Sequence, residues 1–88
     1  MNGTIKRIID GIPIGLIFDA HTVIQILLQK YSNVYTANSK FATTEKYHSE
    51  ISKIIDSFAE DGLIEHIGES WSKNVHDKFS KCVCWKRK

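Results

Sequence analysis

The stretch from Ile51 to Ile67 constrains the fold more than any other, because a helical stripe, a glycine stop and an apolar restart follow one another without a gap. Ile51, Ile54, Ile55, Phe58 and Ala59 recur at the three- and four-residue steps that line one side of a helix, while Ser52, Lys53, Asp56, Ser57 and Glu60 fill the other side. Gly62 then stands where a helix commonly ends in the left-handed conformation, which costs glycine nothing. A strand is expected immediately afterwards, so the chain turns back on its own helix.

The rest of the chain supplies elements for that junction to pack against. Thr4 is a plausible cap for a short first helix over 4–10 with Ile5, Ile8 and Ile9 inward, and Gly11 follows it. A turn at Pro13 leads into a short strand over 15–18. Asp19 is the strongest helix-start signal, and Ala20, Val23, Ile24, Leu27, Leu28 and Tyr31 then keep a regular stripe that predicts a core helix over 19–31. Periodicity lapses from Ser32 to Thr43, which reads as a long connection or a loop holding one irregular helical turn. Thr43 or Thr44 caps the long helix over 44–61, with Tyr47 on its buried stripe. Two strands over 63–70 and 79–86 form a terminal hairpin whose loop contains Asn74 and Asp77. On the second strand Phe79, Val83 and Trp85 share a face with Lys81, and Cys82 and Cys84 point the other way.

At 88 residues the chain is one domain, 1–88, with a core burying roughly 60 to 65% of its unfolded surface. The longest apolar run, Ile12 to Phe18, holds Pro13 and Gly15 and is far short of the ~20 residues that cross a bilayer. Asp10 interrupts the apolar amino-terminal stretch and no small-residue cleavage site follows, so a cytoplasmic location is expected and the Asn2-Gly3-Thr4 sequon carries no weight. Net charge is +2, but its distribution is uneven. Residues 45–70 hold two lysines against seven acids, a net −5, whereas 71–88 hold six basic residues against Asp77, a net +5. A basic terminal segment is the footprint of contact with phosphate or another acidic surface, and equally of a solvated tail.

The order helix, strand, helix, helix, strand, strand resembles a winged helix-turn-helix domain of α+β class, three helices with a short strand and a terminal wing. The Ala-Glu-Asp-Gly-Leu-Ile-Glu piece, Ala59 to Glu65, resembles the passage from its recognition helix into its wing. The resemblance implies a non-enzymatic regulator of transcription that binds double-stranded DNA. Lys46, His48, Ser49, Ser52 and Lys53 would face the major groove, while Lys73, Asn74 and Lys78 in the wing, with Lys86, Arg87 and Lys88, would reach phosphates. Two features depart from that pattern. The connection from Ser32 to Thr43 is longer than the usual turn of three or four residues, and Glu45 and Glu50 make the first half of the long helix acidic, which opposes phosphate. The acidity favours the alternative of a protein-interaction module, with a homodimer as one form of it.

Other chemistry has less support. Cys82 and Cys84 lie on one strand face with Cα atoms about 6.5 to 7 Å apart, near the limit for bridging, and read first as small semi-buried residues. His66 and His76 could complete a zinc set with them, but the one-residue gap is not the usual ligand spacing, and no metal or other cofactor is expected. His21, near a helix start, is expected in solvent. Gly68-Glu69-Ser70-Trp71-Ser72 falls short of a nucleophile elbow, and no glycine-rich phosphate loop occurs. Trp85 reads as core, and Trp71 as either core or a stacking platform beside lysines.

Overall fold

A computed structural model describes residues 1–40, 43–73 and 77–88. Among these residues four helices and three strands run in the order α1 (Asn2–Asp10), β1 (Ile17–Asp19), α2 (Ala20–Lys30), α3 (Ser32–Ala37), α4 (Thr44–Ser57), β2 (Ile64–Lys73) and β3 (Phe79–Arg87). The strands form one antiparallel sheet ordered β1-β3-β2. The α+β class therefore stands. The expected three helices become four among the described residues, because the connection after Tyr31 holds the short helix α3 rather than one irregular turn. Phe41, Ala42, Asn74, Val75 and His76 lie outside the described residues.

Local chemistry explains most element boundaries. The Asp19 carboxylate accepts from the Thr22 amide at 2.8 Å and starts α2, and the Thr43 hydroxyl accepts from the Lys46 amide at 3.1 Å and starts α4. Pro13 and Leu16 close a turn at 3.1 Å with Gly15 at φ +91°, the positive angle such a turn asks of its third residue. This turn displaces β1 to Ile17–Asp19 from the expected 15–18. Thr4 lies inside α1 rather than capping it. Regular α4 ends at Ser57 instead of Asp61 because the amides of Phe58 and Ala59 bond three residues back, to Ile55 and Asp56. One further turn closes through Gly62 at φ +76°, with Leu63 bonding back to Phe58 and Gly62 to Ala59. The glycine stop of the Ile51–Ile67 junction is thus reached by a tightened turn.

The core joins the helices to the inner half of the hairpin. Ile5, Ile9, Val23, Ile24, Leu27, Ile51, Ile55, Ile64 and Trp85 are almost entirely buried in one cluster. Trp85 is fully buried, tilts against Phe18 with ring centroids 5.8 Å apart, and donates its indole N–H to Asp56 at 3.1 Å. The buried donor thereby gains the partner that burial demands. In β2 the pairing register shifts between His66 and Gly68, leaving Ile67 as the extra residue of a bulge and 47% exposed.

Phe79 departs from the core placement that its alternation with Val83 and Trp85 would suggest. It shares the β3 face of Val83 and Trp85, yet it is 66% exposed, because that face passes the end of the helical layer. Val83 is half-buried, and Lys81 and Phe79 beyond it on that face are exposed. The hairpin therefore has a packed base and a projecting tip.

Candidate nucleic-acid interface

The projecting tip gathers aromatic and cationic side chains on one face. In the pairing register Trp71 lies opposite Lys81 and Lys73 opposite Phe79, and opposed residues of an antiparallel pair share a face. Trp71 is 65% exposed and Phe79 66%, with the Lys73 ammonium 5.8 Å from the Phe79 ring centre. The lysine is within range of a cation–π contact. Lys73 also pairs with Asp77 at 3.4 Å, both side chains largely in water, so the pair contributes little to stability and is readily exchanged for another anion.

The residues expected at the interface fall into three groups. Lys73 and Lys78 lie at the tip, and Lys78 is exposed. Lys46, Ser49, Ser52 and Lys53 lie along α4, with Lys46, Ser49 and Lys53 exposed and Ser52 half-buried. Lys53 pairs with Glu50 at 3.1 Å, which offsets the acid that speaks against DNA on this helix. Lys86, Arg87 and Lys88 lie at the opposite end of β3, roughly 25 Å from the tip at about 3.3 Å per residue. The basic terminal segment is therefore two separate poles. The acidic stretch also runs beside it, since Glu65 on β2 lies opposite Lys86 and pairs with Lys88 at 3.6 Å.

Arg87 does not point into solvent with its neighbours. Its guanidinium donates to the Ile9 carbonyl at 3.1 Å and, through Nη1, to the Leu63 carbonyl at 3.4 Å and the Lys88 carbonyl at 2.6 Å. Asp10 lies 4.0 Å away, and only 12% of the side chain is exposed. It ties α1 to the start of β2. His48 is likewise half-buried and hydrogen-bonded to the Tyr35 hydroxyl at 2.8 Å rather than directed outward from α4.

Behind this helix the two tyrosines are held in their neutral form. Burial, and then the neighbouring Tyr35, push the Tyr47 phenol up to about 12, and burial raises Tyr35 as well. Tyr47 donates its hydroxyl proton to the Tyr35 carbonyl, and their rings are 4.8 Å apart. This tyrosine pair fastens α3 to α4.

Between α4, the start of α2 and the β3 edge past β1 lies a cleft of about 340 Å³, lined among others by His21, Glu45, Ser49, Glu69 and Cys82. His21 is not in open solvent as expected. Its Nδ1 is 2.6 Å from the Ser72 hydroxyl and its Nε2 3.4 Å from the Ser80 hydroxyl. Burial opposes ionisation of the adjoining Asp19, but hydrogen bonds from the Thr22 amide, Ser72 and the Thr22 hydroxyl, with the charge of His21, outweigh it and hold the carboxyl below its usual range.

Lys81 and Phe79 of the exposed tip face are not among the residues expected from the sequence at a DNA interface. The signal is present, since a lysine between Phe79 and Val83 on one strand face marks where that face leaves the core. Comparison with known proteins finds no matching family model, no similar curated protein and no similar solved structure. No helix among the described residues is long and apolar enough to cross a membrane.

Proposed function

We propose that the protein is a winged-helix domain that binds duplex DNA chiefly through the tip of its hairpin. The observation that carries this reading is the tip face itself, where Trp71 and Phe79 stand exposed among Lys73 and Lys81 beyond the end of the core. Exposed aromatic rings interleaved with lysines suit a polyanion with stackable or groove-lining bases, and a solvated tail would not hold them on one rigid face. The sheet order β1-β3-β2 with α2, α3 and α4 between β1 and β2 supports the winged-helix reading. In this arrangement α4 lies beside the wing and supplies Lys46, Ser49 and Lys53, while Glu45 keeps its contribution small.

Binding by such a tip is dominated by phosphate neutralisation. Fluorescence anisotropy with a random-sequence duplex at two salt concentrations is expected to show an affinity that falls steeply as salt rises. The Lys73→Ala/Lys81→Ala double variant flattens that dependence by about 0.9 log unit for each phosphate no longer neutralised, similarly for all sequences. Duplex affinity indifferent to salt would refute the reading, as would no binding at low salt.

A second reading, a protein-interaction module, rests on a different place. Ile14, Leu16 and Ile17 are 78%, 51% and 58% exposed along and just before the edge strand β1. Size-exclusion chromatography after nuclease treatment separates the two, since self-association that persists in moderate salt and disappears in Ile17→Lys supports the module.

A further inference from the structure

The cleft beside the hairpin holds a second constellation. Asp19, His21 and Cys82 bring a carboxylate oxygen, an imidazole nitrogen and a thiol sulfur to within 4.8 Å of one another. Asp19 and His21 come from the β1–α2 junction and Cys82 from the far end of the chain, so only the fold assembles them. We propose that these three side chains form a binding site for a divalent transition-metal ion of the zinc class.

The surroundings favour this chemistry. Ser72 Oγ stands among all three groups, 2.6 Å from His21 Nδ1, 3.5 Å from Cys82 Sγ and hydrogen-bonded to the Asp19 carboxylate. Thr22 holds Asp19 Oδ1 through both its amide at 2.8 Å and its hydroxyl at 3.0 Å, fixing the carboxylate in the way that outer-shell partners orient ligands. Zinc bonds of about 2.0–2.3 Å to oxygen, nitrogen and sulfur place ligand atoms roughly 3.3–3.8 Å apart, so side-chain rotations of about an ångström close the set. A thiol and an imidazole select against calcium and magnesium, which take oxygen ligands. The cleft is lined by Glu45 and Glu69 against the single cation Lys81, so its charge leans acidic.

Three protein ligands leave a fourth position to water or the Ser72 hydroxyl. On binding, the Cys82 S–H bond breaks, sulfur bonds the metal, and the proton passes to the buffer. The ion then ties β3 to the first turn of α2 and fixes the hairpin against the helices. Cys84 stands outside this set. It is buried, and its thiol faces the Gly68 carbonyl at 3.6 Å.

The test uses the tag-free full chain and the metal alone. Titration with Co²⁺ is expected to produce a thiolate-to-cobalt charge-transfer band that saturates at one ion per chain. The band disappears in Cys82→Ser, survives in Cys84→Ser, and requires at least tenfold more cobalt in His21→Ala or in Asp19→Asn, a change that keeps a helix cap. Zn²⁺ displaces the cobalt and, at about a hundred times its Kd, raises Tm on the order of 10 °C in the native chain and not in Cys82→Ser. The absence of a band at saturating Co²⁺ with a folded protein would overturn the proposal, as would a band that follows Cys84 instead of Cys82. Circular dichroism of each variant shows that the fold is retained.

Discussion

The two halves of the hairpin share an alternation of large apolar with polar residues and have opposite fates. At the base, Ile64 and Trp85 are buried, and Trp85 has both an aromatic neighbour and a hydrogen-bond partner. At the tip, Trp71 and Phe79 occupy the same alternating pattern and are about two-thirds exposed. Neither composition nor alternation separates them. The difference is the helical layer, which covers the sheet as far as Val83, so an identical pattern is core on one side of that limit and surface on the other.

The comparison predicts opposite responses to the same substitution. Trp85→Ala removes the centre of the core and is expected to cost about 3–5 kcal/mol, a large part of the stability of a domain this size, measured by denaturant unfolding. If Trp85→Ala unfolds no more easily than Trp71→Ala, the division into packed base and projecting tip is wrong. Arg87→Ala is expected to cost about 1–3 kcal/mol by removing a largely buried charged donor from the Ile9 and Leu63 carbonyls, which keep the Ile12 and Lys88 amides, whereas the neighbouring Lys86→Ala stays within about 0.5 kcal/mol.

The tyrosine pair sharpens the packed side further. Tyr47→Phe removes the bond to the Tyr35 carbonyl and is expected to cost about 1 kcal/mol. Because the folded-state pKa of Tyr47 is raised to about 12, its contribution is complete below the ordinary value of 10 and is lost as pH climbs from there through about 12. Ultraviolet titration should show that phenol ionising last and together with unfolding. The smallest stability effect belongs to Trp71→Ala and Phe79→Ala, within about 0.5 kcal/mol, while duplex affinity in the salt titration falls for both.

Much of the fold is legible in the sequence because it rests on short-range chemistry. The Asp19 and Thr43 caps, the stripes of α2 and α4, the left-handed Gly62 and the hairpin all follow from residues near one another in sequence. The misplaced features share one physical cause, which is dependence on distant segments. Helix α3 lies in a stretch with no periodic stripe, and it is held by the tyrosine contacts to α4. Phe79 obeys its strand's alternation and fails only because no helix reaches it. Charge alone marks Arg87 as a phosphate ligand, yet backbone carbonyls from α1, the start of β2 and its own neighbour claim it.

By itself, then, the sequence determined most helix and strand positions, the α+β class, and an uneven charge along the chain. Only the tertiary structure decided that the basic segment splits into two poles, that Trp71 and Phe79 share an exposed face with Lys73 and Lys81, and that Asp19, His21 and Cys82 meet. Caps and periodicity act within a turn or two of helix, whereas exposure and side-chain convergence depend on which distant segments cover a surface or fold onto it.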